Sequence, residues 1–161
     1  MKIKLFLLLS FLATILNCYP QSGIVGYDQY RSYKKNLYFD NILKDIIPDN
    51  LNTYYYSRLN DKDLINKSQE YDTIQKEHNV YVYTKKAKDG YLCINENLTN
   101  HIKSGCYKID KLGIVYLLND NFINNKKDVF RLLFLRKKNI KNIESNYLIE
   151  KNILELKIYT H

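Results

Sequence analysis

Apolar positions divide the chain near residue 78, with a helix-like period before it and an alternating one after it. From Asp28 to Ile47, Tyr30, Tyr33 and Leu37 share one face, and Phe39, Ile42, Leu43 and Ile46 continue an apolar stripe after a phase shift. Asp28 suits the start of a helix and Pro48 its stop. A weaker helix is predicted from Asn60-Asp61-Lys62-Asp63, which offer a cap and first-turn acids, to about Lys76. Its Leu64, Ser68, Tyr71 and Gln75 face is only half apolar.

Beyond residue 78, Val80-Tyr81-Val82-Tyr83 and Tyr91-Leu92-Cys93-Ile94 flank Lys88-Asp89-Gly90. Asp-Gly between two β-rich runs predicts a hairpin. Further strands are expected at Cys106–Asp110, Ile114–Leu118, Val129–Leu135, Asn146–Glu150 and Ile153–Tyr159. The fold class expected is α+β: one or two N-terminal helices, then an antiparallel β-meander able to curl into a partial barrel. Tyr107 to Leu117 parallels Tyr147 to Leu156, each a strand, a charged turn and a strand. Two hairpins converging on the same residues account for this more simply than a duplication.

The first residues follow another logic. Met1-Lys2-Ile3-Lys4 is a basic start, and Leu5 to Leu16 carry no charge. An apolar run of about 7–15 residues after a basic start is the pattern of a secretory signal, too short to span a bilayer. No small-x-small cleavage site follows; Ile15-Leu16-Asn17-Cys18 does. That segment resembles the lipobox of bacterial lipoproteins, with an aliphatic residue three positions before a cysteine. The resemblance covers the first 18 residues and departs from the usual pattern at Leu16 and Asn17. It implies diacylglycerol and fatty acyl chains such as palmitate on Cys18, cleavage before it, and attachment to a membrane. Tyr19, a residue other than aspartate after the cysteine, implies the outer membrane where the familiar sorting rule holds. The alternative is an unlipidated secreted protein. The expected organisation is a signal peptide at 1–17, a lipidated tether at 18–27 and one α+β domain at 28–161. At 161 residues the chain has little room for a second independent core.

Charge adds less than its size suggests. The formal net charge is +8, falling to +6 once Lys2 and Lys4 leave with the signal. The bases are 21 lysines and four arginines in an Asn-, Ile- and Tyr-rich chain, a composition that AT-rich codons produce unaided. A basic stretch at Arg131, Arg136, Lys137, Lys138 and Lys141 is a candidate patch for anionic lipid or acidic envelope glycan, against a solvated turn as the plainer account. Nucleic acid is not an expected partner of an exported protein.

With Cys18 lipidated, Cys93 and Cys106 remain as an even pair in an oxidising compartment. A disulfide is the favoured reading over two buried thiols. His101 lies between them, but a Cys93–His101–Cys106 metal site has no standard zinc spacing, and a thiol enzyme would need its sulfur free. No nucleophile elbow, phosphate loop or dinucleotide fingerprint is present. Tyr54-Tyr55-Tyr56, read as extended chain, would expose at least one ring. The expected function is therefore non-catalytic, without cofactor or metal: a membrane-tethered binding or accessory protein of unidentified protein partner, or else a small-ligand carrier built on a barrel.

Overall fold

The computed structural model describes residues 30–161 except Cys106 and Lys108, with the side chain of Asp110 also outside the description. The signal peptide, Cys18 and the tether 18–27 fall outside it.

The described residues form two four-stranded mixed sheets, with strand orders β2-β1-β4-β3 and β6-β5-β8-β7. In the first half these strands are β1 (Lys34–Phe39), β2 (Ile42–Leu43), β3 (Leu64–Asp72) and β4 (Glu77–Thr84). In the second half they are β5 (Gly113–Leu118), β6 (Asn121–Phe122), β7 (Ile140–Leu148) and β8 (Ile153–Thr160). The helices are α1 (Asp49–Tyr54), α2 (Asp89–Ser104) and α3 (Lys126–Leu133). The class is α+β as expected, but strands come before helices and neither sheet closes into a barrel.

Each half is one copy of the same unit: a short hairpin, a helix, then a long hairpin whose last strand returns beside the first. β1 pairs with β4 in parallel from Lys34↔Glu77 to Phe39↔Val82, and β5 with β8 from Gly113↔Ile153 to Leu118↔Ile158. β3–β4 and β7–β8 are antiparallel, each with a register irregularity near its start, at Asn66/Ser68 and Ile140/Asn142. A meander would contain no parallel pair, so that expectation is corrected. The repeat is also longer than the sequence parallel suggested, and its register differs: residues 34–85 correspond to 113–161, not 107–117 to 147–156.

The short hairpins explain why the first predicted helix is absent. Asp40 and Asn41 both have positive φ (47° and 67°), as do Asn119 and Asp120 (49° and 62°). Two consecutive left-handed residues make the tight turn whose twist suits antiparallel strands, and Asn and Asp tolerate it best. What reads as a helical stripe from Tyr30 to Ile46 is a strand, this turn, a second strand and a 3-10 turn at Lys44–Ile46. The second predicted helix is instead a 3-10 turn at Asp61–Asp63 followed by β3, whose residues are nearly all solvent-exposed. An edge strand wet on both faces shows no period-two signal.

Two expected strands are helices. Tyr91, Ile94, Leu98 and Ile102, spaced three and four apart, form the buried stripe of α2. Asp89-Gly90 opens this helix rather than turning a hairpin. A Cβ on Gly90 would lie 2.6 Å from Leu135 O and Arg136 C, so only glycine admits this contact between α2 and the second half. Val129, Leu132 and Leu133 are the buried stripe of α3, capped by Asn125, whose side chain accepts from Asp128 N at 3.0 Å. Ile109–Lys111 is a 3-10 turn, not a strand.

A single apolar cluster spans both halves, from Ile42, Leu51, Tyr55 and Tyr56 through the α2 stripe to Leu132, Leu154, Leu156 and Ile158. α1 and α3 meet there, with Tyr55 edge-on to Phe130 at 6.0 Å and the Asn50 side chain donating to Ile123 O. Both repeats thus contribute to one hydrophobic core.

Candidate functional site

A cleft opens between one face of the first sheet and the polar side of α2. β-strand alternation puts Tyr38 of β1, Tyr81 and Tyr83 of β4, and Ser68 and Glu70 of β3 on that face. From α2 come Glu96, Thr99, Asn100 and Lys103, and Asn41 closes one end. The volume is about 390 Å³. The Tyr38 and Tyr81 rings stack at 4.9 Å with planes 18° apart, and Tyr83 donates its hydroxyl hydrogen to Asn41 Oδ1 at 2.9 Å. Lys103 Nζ lies 5.8 Å from the centre of the Tyr38 ring, a cation–π contact that holds the lysine at the rim.

Two of the residues that line the cleft, Glu70 and Glu96, are carboxylates. Burial and then the neighbouring Glu70 carboxylate push the Tyr81 phenol up to about 12. Burial, followed by Glu96, Asp40 and Glu70, raises Tyr83, and burial followed by Glu77 raises Tyr38. All three hydroxyls therefore stay protonated at neutral pH and serve as neutral donors and acceptors. The cleft thus offers aromatic faces, two carboxylates, two side-chain amides and one ammonium, and no thiol or imidazole.

Below it lies a buried polar network that positions both walls. Asp40 is fully buried and accepts from Thr84 N at 2.7 Å, Thr84 Oγ at 2.8 Å and the Tyr56 hydroxyl at 2.8 Å. Burial raises its pKa above the usual carboxylate value, against those hydrogen bonds, which pull it down. The Asn95 side chain on α2 donates to Asp40 O and accepts from the Tyr116 hydroxyl of β5. Thr99 Oγ donates to Asn41 O, and Asn41 Nδ2 to Leu92 O. The β1–β2 turn is in this way stitched to α2 and, through Asn95, to the second sheet.

The two halves differ at the cleft. The clasp is repeated: Tyr159 donates to Asp120 and Thr160 N to Asn119 as Tyr83 and Thr84 do to Asn41 and Asp40. By the same register the counterparts of Tyr38 and Tyr81 are Leu117 and Lys157, and those of Ser68 and Glu70 are Glu144 and Asn146. The clasp pair Tyr83–Asn41, which also lines the cleft, recurs as Tyr159–Asp120, whereas Tyr38, Tyr81, Ser68 and Glu70 do not recur. The unit folds without them.

The sequence-predicted site residues are placed as follows. Cys93 is a free, half-buried thiol in the second turn of α2, 3.6 Å from Asn97 Nδ2. Of the expected Cys93–Cys106 disulfide, Cys106 lies outside the described residues. Ser104, the last residue of α2, is eleven positions on from Cys93, about 16 Å of helical rise. His101, two helical turns from Cys93, points its Nε2 to the Tyr107 hydroxyl instead. Among the described residues no three His, Cys, Asp or Glu side chains converge as metal ligands.

The residues of the basic stretch are spread over three elements. Arg131 is on α3, paired with Asp128 at 3.5 Å, and lines a separate cavity with Asn119 and Asn121. Arg136 precedes a 3-10 turn containing Lys137 and Lys138, and Lys141 is on β7; all are exposed. Tyr54, Tyr55 and Tyr56 end α1 rather than forming a strand; Tyr55 and Tyr56 are buried and Tyr54 half-buried. The cleft residues had a signal in the Tyr81/Tyr83 alternation, but α2, misread as a strand, hid their partners.

No protein-family model, curated protein or solved structure matches this chain. What the cleft does is therefore argued from its chemistry.

Proposed function

We propose that this is a small exported lipoprotein, anchored to the cell envelope through Cys18, that binds a hydroxyl-rich small ligand, a saccharide unit of the envelope, in the Tyr38–Tyr81–Tyr83 cleft without chemical conversion. The observation that carries the reading is the divergence of the two halves: the turn clasp, with Tyr83 and Tyr159, is kept in both, and only the first has the stacked Tyr38–Tyr81 pair with Glu70 beside it. A volume of about 390 Å³ is within the range of small-molecule sites. Glu70, Glu96, Asn41 and Asn100 supply the acceptors and donors that neighbouring hydroxyls require, and tyrosine rings pack against the C–H faces between them. The reading places ligand and anchor in one compartment, the outer membrane by the sorting rule that Tyr19 follows. An unlipidated secreted binder is the second reading; the off-pattern Leu16 and Asn17 favour it.

Two measurements test the halves of this proposal separately. Intact mass and detergent-phase partitioning of the wild type beside Cys18→Ala are expected to show acyl chains that the variant lacks; an unmodified wild-type product leaves only the secreted binder. Titration of a panel of neutral and amino-sugar oligosaccharides by heteronuclear NMR is expected to shift resonances around Tyr81 and Thr99, and Glu70→Gln with Tyr81→Ala to weaken binding at least tenfold. A panel that moves no cleft resonance refutes the saccharide reading.

A further inference from the structure

The most exposed apolar side chains of the described chain gather at one end of the molecule, the end where the tether enters. The turn of the β3–β4 hairpin sits beside the start of β1, with Lys34 N donating to Lys76 O at 2.9 Å, and it carries Ile74, 87% exposed. The turn of the β7–β8 hairpin sits in the same way beside the start of β5, with Gly113 N donating to Asn152 O at 2.9 Å, and it carries Ile149, 78% exposed. These two turns lie on the same side. Lys34 and Glu77 line one hollow with Ile102 and Lys103 at the end of α2 and with Ile109, 45% exposed, in the turn leading to β5. Tyr107 of that connection packs edge-on to Tyr147 of β7 at 4.7 Å.

The first described residue is at this end too. Tyr30 stacks on Tyr71 at 4.3 Å, Tyr71 on His78 at 4.4 Å, and Tyr33 meets Tyr30 edge-on at 5.0 Å. This aromatic stack fixes where the chain leaves the domain. Cys18 is twelve residues earlier, a span of at most about 40 Å. The remaining large exposed apolar residues, Ile65, Phe122 and Phe134, are elsewhere, and Phe122 adjoins the Asn119–Asp120 turn at the far end.

We infer that this end is a membrane-docking face: Ile74, Ile149 and Ile109 enter the interfacial zone of an anionic bilayer while the tyrosines lie at headgroup depth. The inference rests on the anchoring reading, since the tether is what brings this end to the lipid. Charge complementarity supports it: exposed Lys34, Lys35, Lys76, Lys111 and Lys151 outnumber Asp72, Glu77 and Glu150 there. Asp72 is moreover engaged by Ile74 N and Gln75 N. Tyrosine is enriched at membrane interfaces because its ring is apolar and its hydroxyl wet, and lysines beside an anionic surface are attracted to it. Docking would hold the chain upright, with the Asp40–Asn41 turn at the distal end.

The test places an environment-sensitive fluorophore at Ile74→Cys, Ile149→Cys or Phe122→Cys in the full chain, with Cys93 and Cys106 replaced by serine. The acylated protein is reconstituted in vesicles of phosphatidylethanolamine and phosphatidylglycerol. Labels at 74 and 149 are expected to shift to the blue and to be at least threefold less quenched by iodide than the label at 122. Full quenching at all three positions, as in the absence of vesicles, overturns the docking face, and strong shielding at all three overturns its orientation. The same labels on the Cys18→Ala chain separate the two claims. Shielding of 74 and 149 by added anionic vesicles sustains the face even if Cys18 proves unmodified. An acylated protein with all labels wet sinks the face and leaves the anchor standing.

Discussion

Thr84 is joined to Asp40 twice, its backbone N donating to Oδ1 at 2.7 Å and its hydroxyl to Oδ2 at 2.8 Å. Thr160 and Asn119 repeat the pair with one bond reversed: Thr160 N donates to Asn119 Oδ1, and Asn119 Nδ2 donates to the Thr160 hydroxyl, both at 2.9 Å. The same geometry is thus met once by a buried carboxylate and once by an exposed amide. A hydroxyl can take either role, so the protein itself contains the control for a substitution at Asp40.

Asp40→Asn is expected to cost no more than about 1 kcal/mol, because the amide can repeat the Asn119 arrangement and the Tyr56 hydroxyl can turn toward Tyr91, 2.9 Å away. Asp40→Ala leaves the Thr84 amide and the Thr84 hydroxyl without their partner in the core and is expected to cost about 2–4 kcal/mol. Urea unfolding of both variants checks this ordering, and equal losses would refute it.

The same carboxyl gives a pH signature. Its folded pKa is raised above 3.8, chiefly by burial, so the folded state binds the proton more tightly than the unfolded one. Its contribution to stability is greatest when protonated and falls as pH rises from the unfolded value to the raised folded value, after which the penalty is constant. Asn does not titrate. The stability of Asp40→Asn relative to wild type should therefore improve as pH is raised through that window. Denaturant midpoints measured in steps from acid to neutral pH decide it; a relative stability that is flat or declines with pH refutes the assignment.

Tyr55 supplies a prediction of the opposite kind. Its ring is buried in the core, and its hydroxyl makes no well-formed hydrogen bond, although the Thr84 hydroxyl beside it, a donor to Asp40, keeps lone pairs that could accept one. A buried donor left unmade costs about 1–3 kcal/mol. Tyr55→Phe keeps the ring and its edge contact with Phe130 and should leave thermal stability unchanged or raise it. A loss above about 1 kcal/mol would reveal a partner for the hydroxyl.

How much of this was legible depended on whether local signals agreed with tertiary ones. β4, β5 and β8 were readable because Val80 to Tyr83, Ile114 to Leu118 and Ile153 to Tyr159 are β-rich and central in their sheets. β3 was not, because an edge strand of Asn, Lys, Ser, Gln and Glu lies where neither face is buried. The Asp40-Asn41 turn lacks the glycine that marks most such turns, and Asp89-Gly90 has that mark where no turn occurs. Both misreadings concealed the cleft, since one wall ends at Asn41 and the other is α2. The repeat was faint in the residues because its halves share chiefly the turn clasp, a handful of polar positions.

Cys93 tests the helix that replaced the expected hairpin. Alkylation in denaturant without reductant, followed by mass analysis, should label Cys93 fully, and added reductant should leave the unfolding midpoint unchanged. A Cys93-containing disulfide peptide would contradict α2 as a continuous helix.

Gly90 is where that helix meets the other repeat. Its N donates to Leu135 O at 3.1 Å, and the preceding Lys88 N to Leu133 O at 2.9 Å, so the first turn of α2 lies directly on the backbone that follows α3. An alanine methyl would sit 2.6 Å from Leu135 O and Arg136 C, and backbone on both sides leaves no flexible side chain to yield. In an open helix Gly→Ala stabilises by up to about 1 kcal/mol. Here overpacking must exceed that gain, and Gly90→Ala is expected to cost about 1–3 kcal/mol net. The strain falls on the contact between halves, so amide hydrogen exchange should speed up in α2 and in residues 133–137 before it does in the β3–β4 hairpin. A variant as stable as the wild type would mean that α2 does not pack this closely, and the cleft wall it carries would then lose its support.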